Sequence, residues 1–310
     1  MRHRIEALLV QGLRVLLSIF PMSVARAVGG GLGLLVYAVD ARHRHVAIEN
    51  LRAAFPSRPE AERRVIARGV FAHIGRLTLE VLRLGAMSPA DLDAHIETEG
   101  DDRVREAYKR GKGVLFYSGH FGYWEMWGIG YGRRMGPMSV VVRPLDNPLL
   151  EVMIARIRTM TGNTPIARQG VVRRILRELA AGRGVAMLMD QHLHGPDALD
   201  VQFFGRSAKT TSAVSAIALR TGAPVIPVFA LPLPGGRYRI VAEHPIDPPP
   251  PDAPDREREF TQRCTDVLEM YVRRYPDMWL WMHRRWRDGD EPNEAGTGEV
   301  DEEGVTGGPA

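Results

Sequence analysis

The chain has 310 residues, a formal charge of +4 at pH 7 and a single cysteine, Cys264. That length can bury a sizeable core as one large domain or two smaller ones, and a lone cysteine excludes an intramolecular disulfide, agreeing with a reducing compartment. From Asp288 onward there are eight acidic residues and no basic one, so residues 1–287 hold 41 basic against 29 acidic side chains, a net of +12.

The N-terminal stretch 5–20 (IEALLVQGLRVLLSIF) has helical apolar spacing interrupted by Gln11 and Arg14; 24–39 is apolar but glycine-rich, with Arg26 near its start. Neither reaches the ~20 uninterrupted apolar residues of a transmembrane span. Arg2 and Arg4 beside an apolar run are features of a signal peptide, but no small-x-small cleavage site with a secreted-looking chain behind it follows. The pair is expected to lie in a bilayer interface as a helical hairpin or amphipathic pair, with two core-packing helices as the alternative. From 42 to 84 the pattern is helical, broken at Pro56 and Pro59. The second helix carries Val65, Ile66, Val70, Ile74, Leu77 and Val81 on one apolar stripe. Asn50 and Glu80, polar among apolar neighbours, read as hydrogen-bonding or surface residues, and 88–112 as a short polar helical region.

Residues 113–127, GVLFYSGHFGYWEMW, open as an apolar run of strand character, pass through Ser118 and Gly119, and present His120 before an aromatic, helix-compatible run containing Glu125. Five residues turn about 500° on an ideal helix, so the two could not share a helical face; with His120 on a turn, Glu125 can reach back to it. Glu125 would then accept a hydrogen bond from one imidazole nitrogen and fix the tautomer, while the other nitrogen takes a proton from an incoming nucleophile. The competing reading is a histidine buried against Trp124 and Trp127, with Glu125 on a solvated face.

Beyond this point short apolar runs at 138–143, 184–190, 224–230 and 237–242 alternate with helical patterns at 121–134, 147–161, 169–181 and 210–221. The alternation predicts an α/β fold with a mixed, largely parallel central sheet flanked by helices, where ligands bind near the carboxyl ends of strands. His120, Arg143 and Asp190 each sit at such an end. Arg143, before Pro144 and therefore on an extended connection, can bind a phosphate or an oxyanion, or pair with a surface carboxylate. Arg168 has similar potential. Asp190, His192 and His194 supply three possible metal ligands without a fourth at suitable spacing, and no metal is expected. Asp190 and Gln191 are expected instead to orient the loop or contact an acceptor hydroxyl.

The segment FFGR (203–206) is expected to cover the site, with Arg206 and Lys209 reaching phosphate; a packed loop with a solvated basic edge is the alternative. The run 223–228 reads as a strand punctuated by prolines, hence at a sheet edge or strand entry. After a stiff connection at 248–251 and a helix over 256–275 comes WLWMHRRW (279–286). Trp279, Trp281 and Trp286 are candidate anchors at a membrane interface, with arginines 284, 285 and 287 against anionic headgroups; the alternative is core packing. The tail 288–310 lacks the apolar content to fold. Almost all of the basic charge is arginine, lysine occurring only at 109, 112 and 209. This suits anionic lipids, phosphate-bearing substrates or an acidic carrier protein. Nucleic acid is set aside, because neither zinc-finger spacing nor an aromatic RNA-binding signature is present.

Taken together, YSGHFGYWEMWG (117–128) resembles the H-x4-(D/E) block of the bacterial lipid A biosynthesis (lauroyl/myristoyl) acyltransferase family, within the glycerolipid and lysophospholipid acyltransferase superfamily. RHRHVAIENLRAAFP (42–56) is similar to that family's N-terminal signature, VVVRPLDNPLLEVMIARIRTMTG (140–162) to its arginine block, and LMDQ (188–191) with 203–228 to its distal blocks. WLWMHRRW resembles its W-x-H-R-R closing segment. One departure stands out: the position after Gly122, commonly Asn in the family, is Tyr123 here. The resemblance implies a membrane-associating segment over 1–40, an acyltransferase domain over 41–287, and a location on the cytoplasmic face of the bacterial inner membrane. It implies no bound cofactor, an acyl-carrier protein or acyl-CoA thioester as co-substrate, and a lipid hydroxyl as acceptor. His120 and Glu125 would be catalytic, and Arg143, Asp190, Gln191, Arg206 and Lys209 substrate-binding. A lipid esterase using water at the same dyad and a non-catalytic lipid-binding protein are the alternatives; no G-x-S-x-G elbow supports a serine route.

Overall fold

A computed structural model of the chain describes residues 1–286 apart from 168, 169 and 196; the acidic tail, Arg168 and Arg287 lie outside the described residues. Four helices lead: α1 (Arg2–Ile19), α2 (Met22–Val39), α3 (Ala41–Ala54) and α4 (Glu60–Leu84). Next come α5 (Pro89–His95), β1 (Ile96–Glu99), α6 (Asp101–Lys109), β2 (Val114–Ser118), α7 (Trp124–Arg134), β3 (Met138–Val142), α8 (Pro148–Thr159) and β4 (Thr164–Ala167). The remainder is α9 (Val171–Ala180), β5 (Gly184–Leu188), β6 (Ala198–Phe203), β7 (Arg206–Thr211), α10 (Ala213–Thr221), β8 (Val225–Pro232), β9 (Tyr238–Ala242) and α11 (Arg256–Arg274).

Seven strands form one sheet in the order β1-β9-β8-β2-β5-β3-β4, parallel at every pairing except β8 with β9. This is the mixed, largely parallel sheet that the alternating pattern predicts. Central β2 is buried along its whole length, which is why VLFY is apolar on both faces. On one side Phe116 packs with Trp127, Tyr131 and Ile226; on the other Leu115 and Tyr117 pack with Val185, Ile217 and Phe260. Each large side chain so buried contributes about 1.5–3 kcal/mol. Cys264 is buried too, and burial pushes its thiol up to about 12, so it behaves as a small apolar residue.

Three expectations are corrected here. Of the sheet edge or strand entry expected for the proline-punctuated run, the edge is wrong and the entry holds: β8 is internal, between β9 and β2, with Pro224 immediately before it and Pro227 where its ladder with β2 ends, opposite Tyr117. The FFGR segment is the turn of an antiparallel hairpin, β6 with β7, and both phenylalanines are buried in a second core with Phe55, Trp279 and Trp281. It therefore supports the fold and does not cover a site. In the closing segment Trp279 and Trp281 are almost wholly buried, and Arg285 donates to the Lys209 carbonyl at 2.6 Å from a buried position. These side chains are core, not bilayer anchors, because 279–286 runs under the hairpin. Asn50 ties α3 to the same segment, donating to the carbonyls of Trp281 (2.8 Å) and His283 (2.7 Å).

The N-terminal helices have two unlike faces. A stripe of small residues on α2 meets α4 at backbone distance: a Cβ on Gly33 would collide with the Phe71 carbonyl, and one on Gly75 with the Gly29 carbonyl. The outer face carries exposed Leu34, Leu35 and Val39, continued on α1 by Leu8, Leu9 and Ile19. Among the described residues α2 is the one helix long and apolar enough to cross a membrane by length and composition.

Candidate active site

The site follows from strand register. Parallel β2 and β5 pair Ser118 with Leu188, and the Met189 N–H donates to the Ser118 carbonyl at 3.1 Å. Two residues past these paired ends stand His120 and Asp190, so the sheet itself places them side by side. Asp190 Oδ1 lies 2.8 Å from His120 Nδ1, and Oδ2 accepts from the His120 backbone N–H at 2.7 Å and from Trp279 Nε1 at 2.8 Å. Two glycines permit this. A Cβ on Gly119 would stand 2.9 Å from Asp190 Oδ2, and Gly122, at φ +58°, lies so close to the Ala230 carbonyl that a Cβ would strike it. The closing segment braces the turn: Leu280 N–H donates to the His120 carbonyl at 3.1 Å, and Gly122 N–H to that of Met278 at 2.8 Å.

Burial of the imidazole acts to lower its pKa, but the Asp190 charge and hydrogen bond, with a smaller contribution from Glu125, outweigh it and raise the pKa above the ordinary 6.5. Burial would raise the Asp190 pKa; the imidazole charge and the donated hydrogen bonds outweigh that and hold it at about 2. A carboxylate facing Nδ1 fixes the neutral tautomer with its proton there, leaving the Nε2 lone pair available.

His120 lines a cavity of about 770 Å³, within the range of small-molecule sites. Its walls are apolar along Val140, Ile175, Met187 and Ile217, with charged side chains at Glu125, Arg143, Arg158, Asp197 and Arg220. Among these, Glu125 accepts two hydrogen bonds from Arg158, Nε to Oε2 at 3.0 Å and Nη2 to Oε1 at 2.5 Å. Arg158 Nη1 is buried and meets no acceptor among the described residues.

The structure thus brings His120, Glu125, Arg143 and Gln191 to one cavity, with Asp190 behind the imidazole. One role read from sequence is corrected. The printed hydrogen bond of the imidazole goes to Asp190, because strand register aligns the two, while Glu125, inside the first turn of α7, is turned to Arg158 of α8. Asp190, expected to orient its loop or contact an acceptor hydroxyl, does the first: it is buried and its oxygens accept from the His120 backbone and ring and from Trp279. Arg143 is exposed at the rim, 3.9 Å from Asp146. Arg206 and Lys209 belong to the hairpin and are not among the cavity-lining residues: Lys209 pairs with Asp200 at 3.2 Å and the Arg206 guanidinium lies 5.7 Å from the Trp286 ring centre. No group of three or more side chains able to hold a metal gathers among the described residues; His192 and His194 pack ring to ring, centroids 4.5 Å apart. Sequence reasoning missed Arg158 and the part played by Trp279. The signal that would have paired His120 with Asp190 is the common offset of two residues from the ends of neighbouring strands.

A buried acid holding an imidazole at the wall of a partly apolar cavity is an arrangement able to take a proton from an oxygen nucleophile. The sequence profile of bacterial lipid A biosynthesis acyltransferases matches residues 1–288, and the chain belongs to that family of enzymes, which transfer acyl groups to lipid acceptors. It is 25% identical over 274 residues to a lipid A biosynthesis lauroyltransferase of Escherichia coli, covering 87% of this chain and 88% of that one. It is 24% identical over 226 residues to a phosphatidylinositol mannoside acyltransferase of Mycolicibacterium smegmatis, covering 71% and 72%. A solved structure of a 1-acyl-sn-glycerophosphate acyltransferase from Thermotoga maritima aligns with 84% of this chain and 96% of its own, at 16% identity and a TM-score of 0.36.

Proposed function

We propose that this acyltransferase moves a fatty acyl group from a thioester of acyl-carrier protein or coenzyme A to a hydroxyl of a lipid acceptor, with His120 as general base and Asp190 as the group that orients it. Nε2 takes the hydroxyl proton as the oxygen attacks the thioester carbonyl; the tetrahedral intermediate collapses, the C–S bond breaks, and the imidazolium returns its proton to the leaving thiolate. Arg158, held by Glu125 and with one nitrogen unsatisfied, supplies positive charge where the carbonyl oxygen becomes an oxyanion, and Arg143 at the rim meets phosphate on either substrate. The apolar wall takes the acyl chain. The acceptor is an amphiphile of the lipid A precursor or acylated glycolipid kind, as the names of the relatives suggest. The apolar outer faces of α1 and α2 support a membrane-bound enzyme, which we assign to the cytoplasmic face of the inner membrane because its donor is a carrier-protein or coenzyme A thioester.

The observation that carries this reading is the 2.8 Å contact between Nδ1 and a buried carboxylate on a histidine that lines the apolar cavity. The test supplies labelled dodecanoyl thioesters of carrier protein and of coenzyme A, with a lipid A precursor or with buffer alone. Label passing to lipid in the wild type and not in His120→Ala supports the proposal; thiol release that is equal with and without lipid would make the enzyme a hydrolase and overturn it.

A further inference from the structure

Outside the cavity lies a polar cluster that the chemistry above does not use. Glu80, in α4, is 1% exposed. One of its oxygens accepts from the Tyr123 hydroxyl at 3.4 Å and lies 3.4 Å from Arg26 Nε of α2; the other accepts a short hydrogen bond from the Tyr238 hydroxyl of β9. The rings of Tyr123 and Tyr238 are 4.7 Å apart, which closes the cluster. Two helical turns earlier on α4, His73 is buried; desolvation drives its pKa down to about 4, so the ring is neutral, and its Nε2 lies 3.0 Å from the Gly122 carbonyl, to which it donates. Helix α4 therefore grips the turn that follows His120 at two points, a carbonyl and a hydroxyl.

Stability alone does not account for this arrangement. Burial pushes the Glu80 carboxyl up to about 7, against the lowering pull of Arg26, the Tyr123 hydroxyl and Arg76, and Arg26 Nη1 is buried without an acceptor among the described residues. A buried ion pair of this kind is commonly replaced by apolar packing at no loss. Above about pH 7, where the carboxyl is ionised, what it supplies is a directional hold on the Tyr123 hydroxyl.

We propose that Glu80 is a positioning residue for acyl transfer: held by Arg26 and Tyr238, its carboxylate fixes Tyr123 and so sets the turn from which His120 faces the cavity. The proposal rests on His120 as the base. It makes the seat of α2, through Arg26, part of what determines the rate.

The test uses the full-length protein in detergent with Tyr123→Phe, Arg26→Met, Arg26→Lys and the Phe/Met double variant, and has two readouts. One is the steady-state rate of transfer from dodecanoyl-coenzyme A to a lipid A precursor; the other is the rate at which diethyl pyrocarbonate modifies His120, followed by mass spectrometry. Tyr123→Phe and Arg26→Met should each lower kcat by about 5- to 20-fold with KM changed less than about twofold, and shift the modification rate by about threefold or more. Because both act on one hold, the double variant should be little worse than the poorer single, and Arg26→Lys should retain most of the rate. A merely structural role would lower the melting temperature of the variants and leave kcat and the His120 modification rate of the folded protein at wild-type values; that result, or a double variant showing the product of the single losses, overturns the proposal. Should Tyr123→Phe fail to fold, Glu80→Gln, equal in shape and without the charge, is read in the same way. If the wild type transfers nothing, the acyl-transfer reading fails, and the modification rate alone decides: a shift sustains the positioning role, and an unchanged rate sinks it.

Discussion

Two carboxylates flank the cavity wall that holds His120, and their surroundings differ. Asp190 is sealed in, takes three hydrogen bonds and is held at a pKa of about 2. Glu125 is part-exposed and spends both oxygens on Arg158. One acid is fixed by strand register and a buried tryptophan, the other by a pair of long side chains on neighbouring helices. The comparison teaches that nearness along the chain and nearness in the fold assign different partners to the same imidazole, and that the better-held acid is the one seventy residues away.

Removing the imidazole is the strongest test of that contrast: His120→Ala should lower transfer by about a thousandfold or more, read as label passing to lipid, because it takes away the imidazole that Asp190 holds at the cavity wall. Asp190→Asn comes next, with a loss of about a hundredfold in kcat and a fall in the His120 pKa, measured by NMR of the imidazole carbons. The sign follows from the mechanism: the base works unprotonated, so the rate rises with pH through a pKa above 6.5, and loss of the Asp190 charge moves that rise to lower pH. Glu125→Gln should cost roughly tenfold, through the loosened Arg158, and move the imidazole pKa down by less than Asp190→Asn does. A larger shift from Glu125→Gln would reverse the ranking of the two acids. Smaller still, Ala216→Phe narrows the cavity where α10 lines it and should shift preference toward shorter acyl donors with little change in rate for the shortest.

A stability measurement separates the buried polar cluster from both acids. The Glu80 carboxyl titrates near 7 in the fold against an ordinary 4.5, so the folded chain holds a proton that the unfolded chain has lost. Stability should therefore fall as pH rises from about 4.5 to 7 and level off above, by up to on the order of 3 kcal/mol, and Glu80→Gln should remove that slope. Denaturant titrations at several pH values check it.

Much of this was legible in the residues. The apolar runs of β2, β3, β5, β8 and β9 gave the sheet, because buried parallel strands read as continuous hydrophobic segments. β1 (IETE) and β4 (TPIA) escaped, being short edge strands with too few apolar residues to register, and the β6–β7 hairpin escaped because its alternation is half polar. His120 was found from its place at a strand end. Its pairing with Asp190 was not, since register between β2 and β5 depends on how strands separated by three helices and two further strands align. The closing tryptophans misled for a related reason: amphipathic aromatic residues next to arginines look alike whether they face lipid or a hairpin.

The glycine contact between α2 and α4 bears on how the protein can be handled. Cutting the chain after Asp40, the obvious way to obtain a shorter fragment, would lay bare the α4 backbone at Phe71 and Gly75 and take the guanidinium away from Glu80. The opening forty residues are a wall of the enzyme more than a leash. Recolouring Leu8, Leu35 and Val39 with polar side chains is the sounder route to a soluble form.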